Sequence, residues 1–138
     1  MQAIREVMTT NPTICSATTS IADAARAMRD QDIGDVLVEI DGTLCGIITD
    51  RDIVVRAIAE NRDPAEACLG DICSNDLDTL RPDDSVDDAV TLMRAKALRR
   101  VPVCDDGKAV GIVSLGDLAV QRDEKSALAD ISAAPPNK

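Results

Sequence analysis

Two stretches of this chain carry the same chemically capable residues. Gly46-Ile47-Ile48-Thr49-Asp50-Arg51-Asp52 is matched by Gly111-Ile112-Val113-Ser114-Leu115-Gly116-Asp117. Each reads as a buried strand running out into a helix, with a hydroxyl at the junction and an aspartate three residues later. Free N–H groups and the helix dipole at such a junction favour an anion. An ionised carboxylate one turn on has two acceptor oxygens, enough for the neighbouring hydroxyls of a ribose. Glycine inside a strand weakens it unless something must approach the backbone closely. Together these features describe a nucleoside-phosphate site. The chain has no Phe, Tyr or Trp, so the base would lie between aliphatic side chains and pair with backbone groups. The same hydroxyl-x-x-Asp spacing is also a helix capping box, and it recurs at Ser20/Asp23 and Ser85/Asp88. The spacing alone therefore does not separate a cap from a ligand site. The preceding Gly-aliphatic-aliphatic run is what favours the ligand.

The elements that must position these residues come from an internal repeat. Shifted by 65 residues, the stretch 20–53 overlies 85–118 without a gap, with twelve of 34 positions identical. A repeat fixes the architecture before any other signal, and two copies suggest two like units burying one face against each other. In each copy a serine (Ser20, Ser85) predicts a helix start. Apolar residues at helical spacing follow, namely Ile21, Ala24, Ala25 and Met28, then Val86, Ala89, Val90 and Met93. The β-rich runs DVLVEI and RVPVCD come next, then Asp-Gly turns at 41–42 and 106–107 and second strands through LCGII and AVGIV. Each copy is therefore helix, strand, strand, helix, preceded by an extended lead-in (NPTICSA, LDTLRPD) that can add a strand. The boundaries in chain order are 1–60 for the first unit, 61–70 for a linker, 71–123 for the second unit and 124–138 for a flexible tail.

Composition narrows the functional classes. Hydrophobic residues make up 45% of the 138, enough for a core of Val, Ile, Leu, Ala and Met. A net charge of −10 opposes nucleic-acid binding, whose affinity comes largely from neutralising phosphates. No apolar run approaches the length of a membrane span. The N-terminal MQAIREVMTTNP lacks a basic segment followed by an apolar one, so the expected location is the cytoplasm. Cys15, Cys45, Cys68, Cys73 and Cys104 form no CxxC and there is no histidine, so small buried thiols are expected and no metal is required; the alternative, a zinc site or redox switch, needs sulfurs that converge in space. With no histidine, no nucleophile–base pair and no P-loop, an enzyme is not expected.

The segments VMTTNPTIC, DIGDVLV, GIITDRDI, RRVPV and GIVSLGDL together resemble a pair of CBS domains, of the short bacterial kind that includes the actinobacterial hypoxia-response proteins. The resemblance spans nearly the whole chain. It implies an α/β (α+β) fold of two tandem β-α-β-β-α units packed about a pseudo-two-fold axis. It also implies two clefts that take adenosine derivatives (AMP, ADP, ATP or S-adenosylmethionine), and a homodimer. The stronger site it implies is Thr79, Arg99, Arg100, Val101, Pro102, Ser114, Gly116 and Asp117. The weaker one is Ile14, Gly34, Asp35, Thr49, Arg51 and Asp52. Asp52 and Asp117 would hold ribose, and Thr49 and Ser114 would add hydroxyl contacts.

The two sites differ in charge. Arg99-Arg100 stands where the first copy has Gly34-Asp35. Two guanidiniums offer forked donors to a phosphate, whereas Asp35 would oppose one; Arg51 is the nearest compensating charge in the first copy. The sequence thus predicts a ligand sensor that passes its state to an unknown protein effector. The alternative is a ligand-free dimeric scaffold in which the repeated motif only caps helices.

Overall fold

The computed structural model describes residues 2–73 and 77–122. The tail expected over 124–138 lies outside the described residues. In chain order the elements are a 3₁₀ turn (Ile4–Glu6), β1 (Thr9–Thr10), β2 (Ile14–Ser16), α1 (Ile21–Gln31), β3 (Asp35–Ile40), β4 (Thr43–Thr49) and α2 (Asp50–Asp52). A π-helical segment (Ile53–Ile58) prolongs α2, followed by α3 (Leu69–Ile72), α4 (Val86–Lys96), β5 (Arg100–Asp105), β6 (Lys108–Ser114) and α5 (Leu115–Arg122). The chain divides into two compact units, one of residues 13–77 and one of residues 2–12 with 78 onward.

Local chemistry sets the repeated elements. Ser20 and Ser85 accept the N–H of Asp23 (3.1 Å) and Asp88 (3.0 Å), so both helices start at the serines. α1 and α4 stop at Asp32 and Ala97, which take left-handed backbone at φ 57° and 54°. The hairpins turn on Asp41-Gly42 and Asp106-Gly107, and all four residues have positive φ. That conformation costs glycine nothing and suits the twist of a two-residue hairpin.

In the 13–77 unit, β3 lies between parallel β2 and antiparallel β4. Its core is Ile21, Ala24, Met28, Val36, Val38, Ile48, Ile53 and Ala57, joined by Ala67, Leu69 and Ile72. The last three belong to or directly follow the stretch 61–70 assigned from sequence to a linker. In the structure that stretch is tied in, with the Leu69 and Gly70 N–H groups donating to the carbonyls of Thr19 and Ala17 (2.9 Å each).

In the other unit β6 is central, flanked by β1 and β5, both antiparallel. Its core gathers Ile4, Leu80, Val86, Ala89, Met93, Val101, Val103, Val113 and Leu118. The lead-in forms a strand in the first copy but only a single parallel bridge, Leu80 to Val103, in the second. Chain-order boundaries group residues 1–60 together, whereas packing sets residues 2–12 with residues 78 onward. Ile4 is fully buried in that core, its N–H donates to the Asp84 carbonyl (2.8 Å), Val86 N–H donates to the Gln2 carbonyl (3.0 Å), and Arg5 pairs with Asp83.

Gly111 owes its identity to this arrangement. A Cβ there would lie 2.7 Å from Met8 Sδ and 2.8 Å from the Thr9 carbonyl oxygen. The sequence reading took a strand glycine as room for a ligand; at Gly111 the close neighbour is β1 of the same chain. Gly111→Ala is expected to cost roughly 1–3 kcal/mol by overpacking, read as a lowered midpoint in urea unfolding. An unchanged midpoint would mean that β1 can leave β6 freely.

Candidate functional site

At both strand exits the hydroxyl and the aspartate are locked together. Thr49 Oγ1 accepts the Asp52 N–H (3.1 Å), and Asp52 Oδ2 accepts the Thr49 N–H (2.8 Å). Ser114 Oγ accepts the Asp117 N–H (3.0 Å), and Asp117 Oδ2 accepts the Ser114 N–H (2.9 Å). The capping box is therefore real in both copies. It uses one carboxylate oxygen, leaving Oδ1 of each aspartate outside the cap. All four residues are partly exposed.

A second repeated bond fixes the strand across from each junction. The Gly34 carbonyl accepts the Asp50 N–H (3.0 Å), and the Arg99 carbonyl accepts the Leu115 N–H (2.8 Å). The sheet register then sets Asp35 opposite Thr49 and Arg100 opposite Ser114. The charge contrast read from the sequence thus falls directly across the ladder from the two hydroxyls. Arg99 is exposed and Arg100 half-buried.

The remaining expected residues take these places. Pro102 lies opposite Ile112, and its carbonyl accepts the Leu80 N–H (3.0 Å), which brings exposed Thr79 to the edge of β5. Ile14, the counterpart of Thr79, lies opposite Leu37 and is 40% exposed. Val101 is sealed in the core, so its side chain cannot meet a ligand and only its main chain is on offer. Gly116 is partly exposed in the first turn of α5. Arg51 is exposed, and its own N–H is held by the Asp50 carboxylate (2.8 Å).

Sequence reasoning overlooked Arg56. Its Nε lies 3.9 Å from Asp52 Oδ1, and its Nη1 donates to the Ile72 carbonyl (3.1 Å). The available signal was spacing, since an acid four residues ahead of a base on a helix meets it on one face. In the 13–77 unit the oxygen that the cap leaves over therefore faces a cation of the same chain. This reinforces the inequality of the two junctions.

Among the described residues no cluster of three or more Cys, His, Asp or Glu is arranged to hold a metal ion. No described helix is long and apolar enough to cross a membrane.

Comparisons with known proteins agree with this architecture. YhcV, a CBS domain-containing protein of Bacillus subtilis, is 37% identical over 96% of each chain. Hypoxic response protein 1 of Mycobacterium tuberculosis is 32% identical over 86% of this chain and 84% of its own. A crystal structure of Hypoxic Response Protein I with two coordinated zinc ions matches with TM-score 0.79 and 31% identity, over 88% of this chain and 99% of that one. The CBS domain pair of protein MJ0100, solved in complex with 5′-methylthioadenosine and S-adenosyl-L-methionine, matches with TM-score 0.80 and 26% identity, over 91% and 99%. The CBS domain family model matches twice, over residues 4–58 and 69–122. With two hairpin-and-helix units, the doubled junction and these two matches, the chain belongs to the CBS domain family and carries a pair of its domains.

Proposed function

We propose that this chain is a regulatory, non-catalytic module that binds an adenosine derivative (AMP, ADP, ATP or S-adenosylmethionine) at its strand-to-helix junctions and passes the bound state to a protein effector. The observation that carries the reading is the paired junction. In each copy a capped helix start presents a carboxylate whose Oδ1 stays outside the cap. A ribose hydroxyl can donate to that oxygen without breaking the cap. The adenosine compounds bound by the MJ0100 pair support the choice of ligand class.

The junction at Ser114 and Asp117 is the stronger of the two. Arg100 stands across from Ser114 and can face a phosphate, while Asp35 repels one and Arg56 already approaches Asp52 Oδ1. Thr79 and the main chain around Val101 and Pro102 form the other wall of this site. Signalling runs through a homodimer, for which Val54, Val55 and Ile58, 59, 43 and 52% exposed, offer apolar surface. Ligand then shifts that assembly only by its difference in affinity between states.

Arg100→Ala tests the assignment of the phosphate. It is expected to weaken ATP or AMP binding about tenfold or more, in line with roughly 1.5–3 kcal/mol for a hydrogen bond to a charged group. Adenosine binding should stay within about twofold. Equal losses for nucleotide and nucleoside would remove Arg100 from the phosphate. The competing scaffold reading draws on the same capping boxes, which engage the hydroxyl and one carboxylate oxygen with no ligand at all. Absence of binding heat with every adenosine derivative would favour it.

A further inference from the structure

Cys45 and Cys73 belong to no part of the junction chemistry, yet the fold brings them together. Cys45 is the extra residue of a β-bulge: Val38 faces Gly46 and Glu39 faces Leu44, so nothing opposes Cys45 across the ladder. Bulges of this kind re-aim a side chain. Cys73 follows α3, with its N–H held by the Leu69 carbonyl (2.9 Å). Both side chains pack on the same buried cluster, which includes Ile48, Leu69 and Ile72. Their thiols meet in a side-chain hydrogen bond. Neither residue is sealed off, and Cys73 borders an open cavity of about 520 Å³ with Arg56, Arg62 and Asp71 on its walls.

We propose that Cys45 and Cys73 form a redox-modification site, converted by a hydroperoxide into a disulfide that ties β4 to the end of α3. Burial, with the Cys45 thiol and the Asp52 carboxylate beside it, pushes the Cys73 thiol up to about 11. One sulfur of the pair attacks a peroxide oxygen, the O–O bond breaks, and a sulfenic acid forms with release of water or an alcohol. The other sulfur then attacks the sulfenic sulfur. The S–S bond forms, the S–O bond breaks, and the second thiol's proton leaves with the departing hydroxide as water. The two thiols lose two electrons and the peroxide gains them. The inference stands apart from ligand binding, since it needs only the thiol pair.

The test treats the full chain with hydrogen peroxide, alkylates the remaining thiols and maps the peptides. The expected product is an intramolecular Cys45–Cys73 crosslink with the other three of the five cysteines alkylated, all reversed by dithiothreitol. Cys45→Ser and Cys73→Ser should each abolish the crosslink, and Cys68→Ser should keep it. Five alkylated thiols after treatment, a crosslink through another cysteine, or persistence of the crosslinked species in Cys73→Ser would each overturn the proposal.

Discussion

Leu69→Ala is expected to destabilise the protein by roughly 2–5 kcal/mol, the usual cost of a leucine-sized cavity. Leu69 is fully buried and packs with Ile21, Ile48, Ile53 and Ile72. Its main chain is fixed to Thr19, so the backbone cannot easily shift to fill the space. A loss of that size is a large share of the roughly 5–15 kcal/mol that holds a typical domain together. Urea unfolding followed by far-ultraviolet circular dichroism would measure it, with Glu60→Ala as an exposed control expected within about 0.5 kcal/mol of wild type. A midpoint for Leu69→Ala equal to the control would mean that the 61–70 stretch is a connector after all.

This position shows where the sequence is readable and where it is not. Helix starts, hairpin turns and both pairs of long strands could be read because they rest on local chemistry: a serine cap, an Asp-Gly turn, an apolar period. The repeat doubled each of those signals. The stretch 61–70 falls between the aligned copies and is rich in Asp, Glu, Pro and Gly, so it reads as a linker. Its apolar anchors Ala67 and Leu69, with Ile72 just beyond, are spaced too irregularly to announce a buried face. The N-terminal residues were equally silent. Nothing local says that Ile4 packs beside Val86, Val101 and Val113, residues more than 80 positions away. Gly111 is the instructive case. Close approach to the strand was the right physics, but the approaching group is Met8 and Thr9, not a ligand.

Asp117→Ala is expected to weaken adenosine-nucleotide binding by roughly 1–3 kcal/mol, or about 5- to 150-fold. The carboxylate is asked to receive ribose hydroxyls on an oxygen that the helix cap does not use. Removing it also strips the Ser114 N–H of its partner, so some stability is lost with the affinity. Asp117→Asn separates the two effects. Its amide oxygen can still accept from Ser114, while the charge and one acceptor are gone. The expected outcome is a melting temperature closer to wild type than that of the alanine variant, with binding still reduced at least fivefold. If Asn restored full affinity, the aspartate would be a cap and nothing more. Measured side by side, Asp52→Ala should change affinity less, because Arg56 already approaches Asp52 Oδ1.

The arrangement of the junction was legible because hydroxyl, aspartate and the opposing Arg99-Arg100 or Gly34-Asp35 pair lie close in sequence or in ladder register. What sequence could not supply was how the cap divides the two oxygens of each aspartate. Spacing is the same for a cap and for a ligand contact, and only atomic geometry shows that the cap takes one oxygen and leaves the other. The burial of Val101 and the meeting of Cys45 with Cys73 likewise depend on side-chain direction within a bulged sheet, which no local pattern encodes.

Titration calorimetry of the wild-type chain with AMP, ADP, ATP, S-adenosylmethionine and adenosine probes the account most directly. Saturable binding heat with at least one of these compounds, sharply reduced by Asp117→Ala, is the predicted result. Flat titrations across all five ligands, from protein shown to be folded, would contradict it and leave the two aspartates as helix caps.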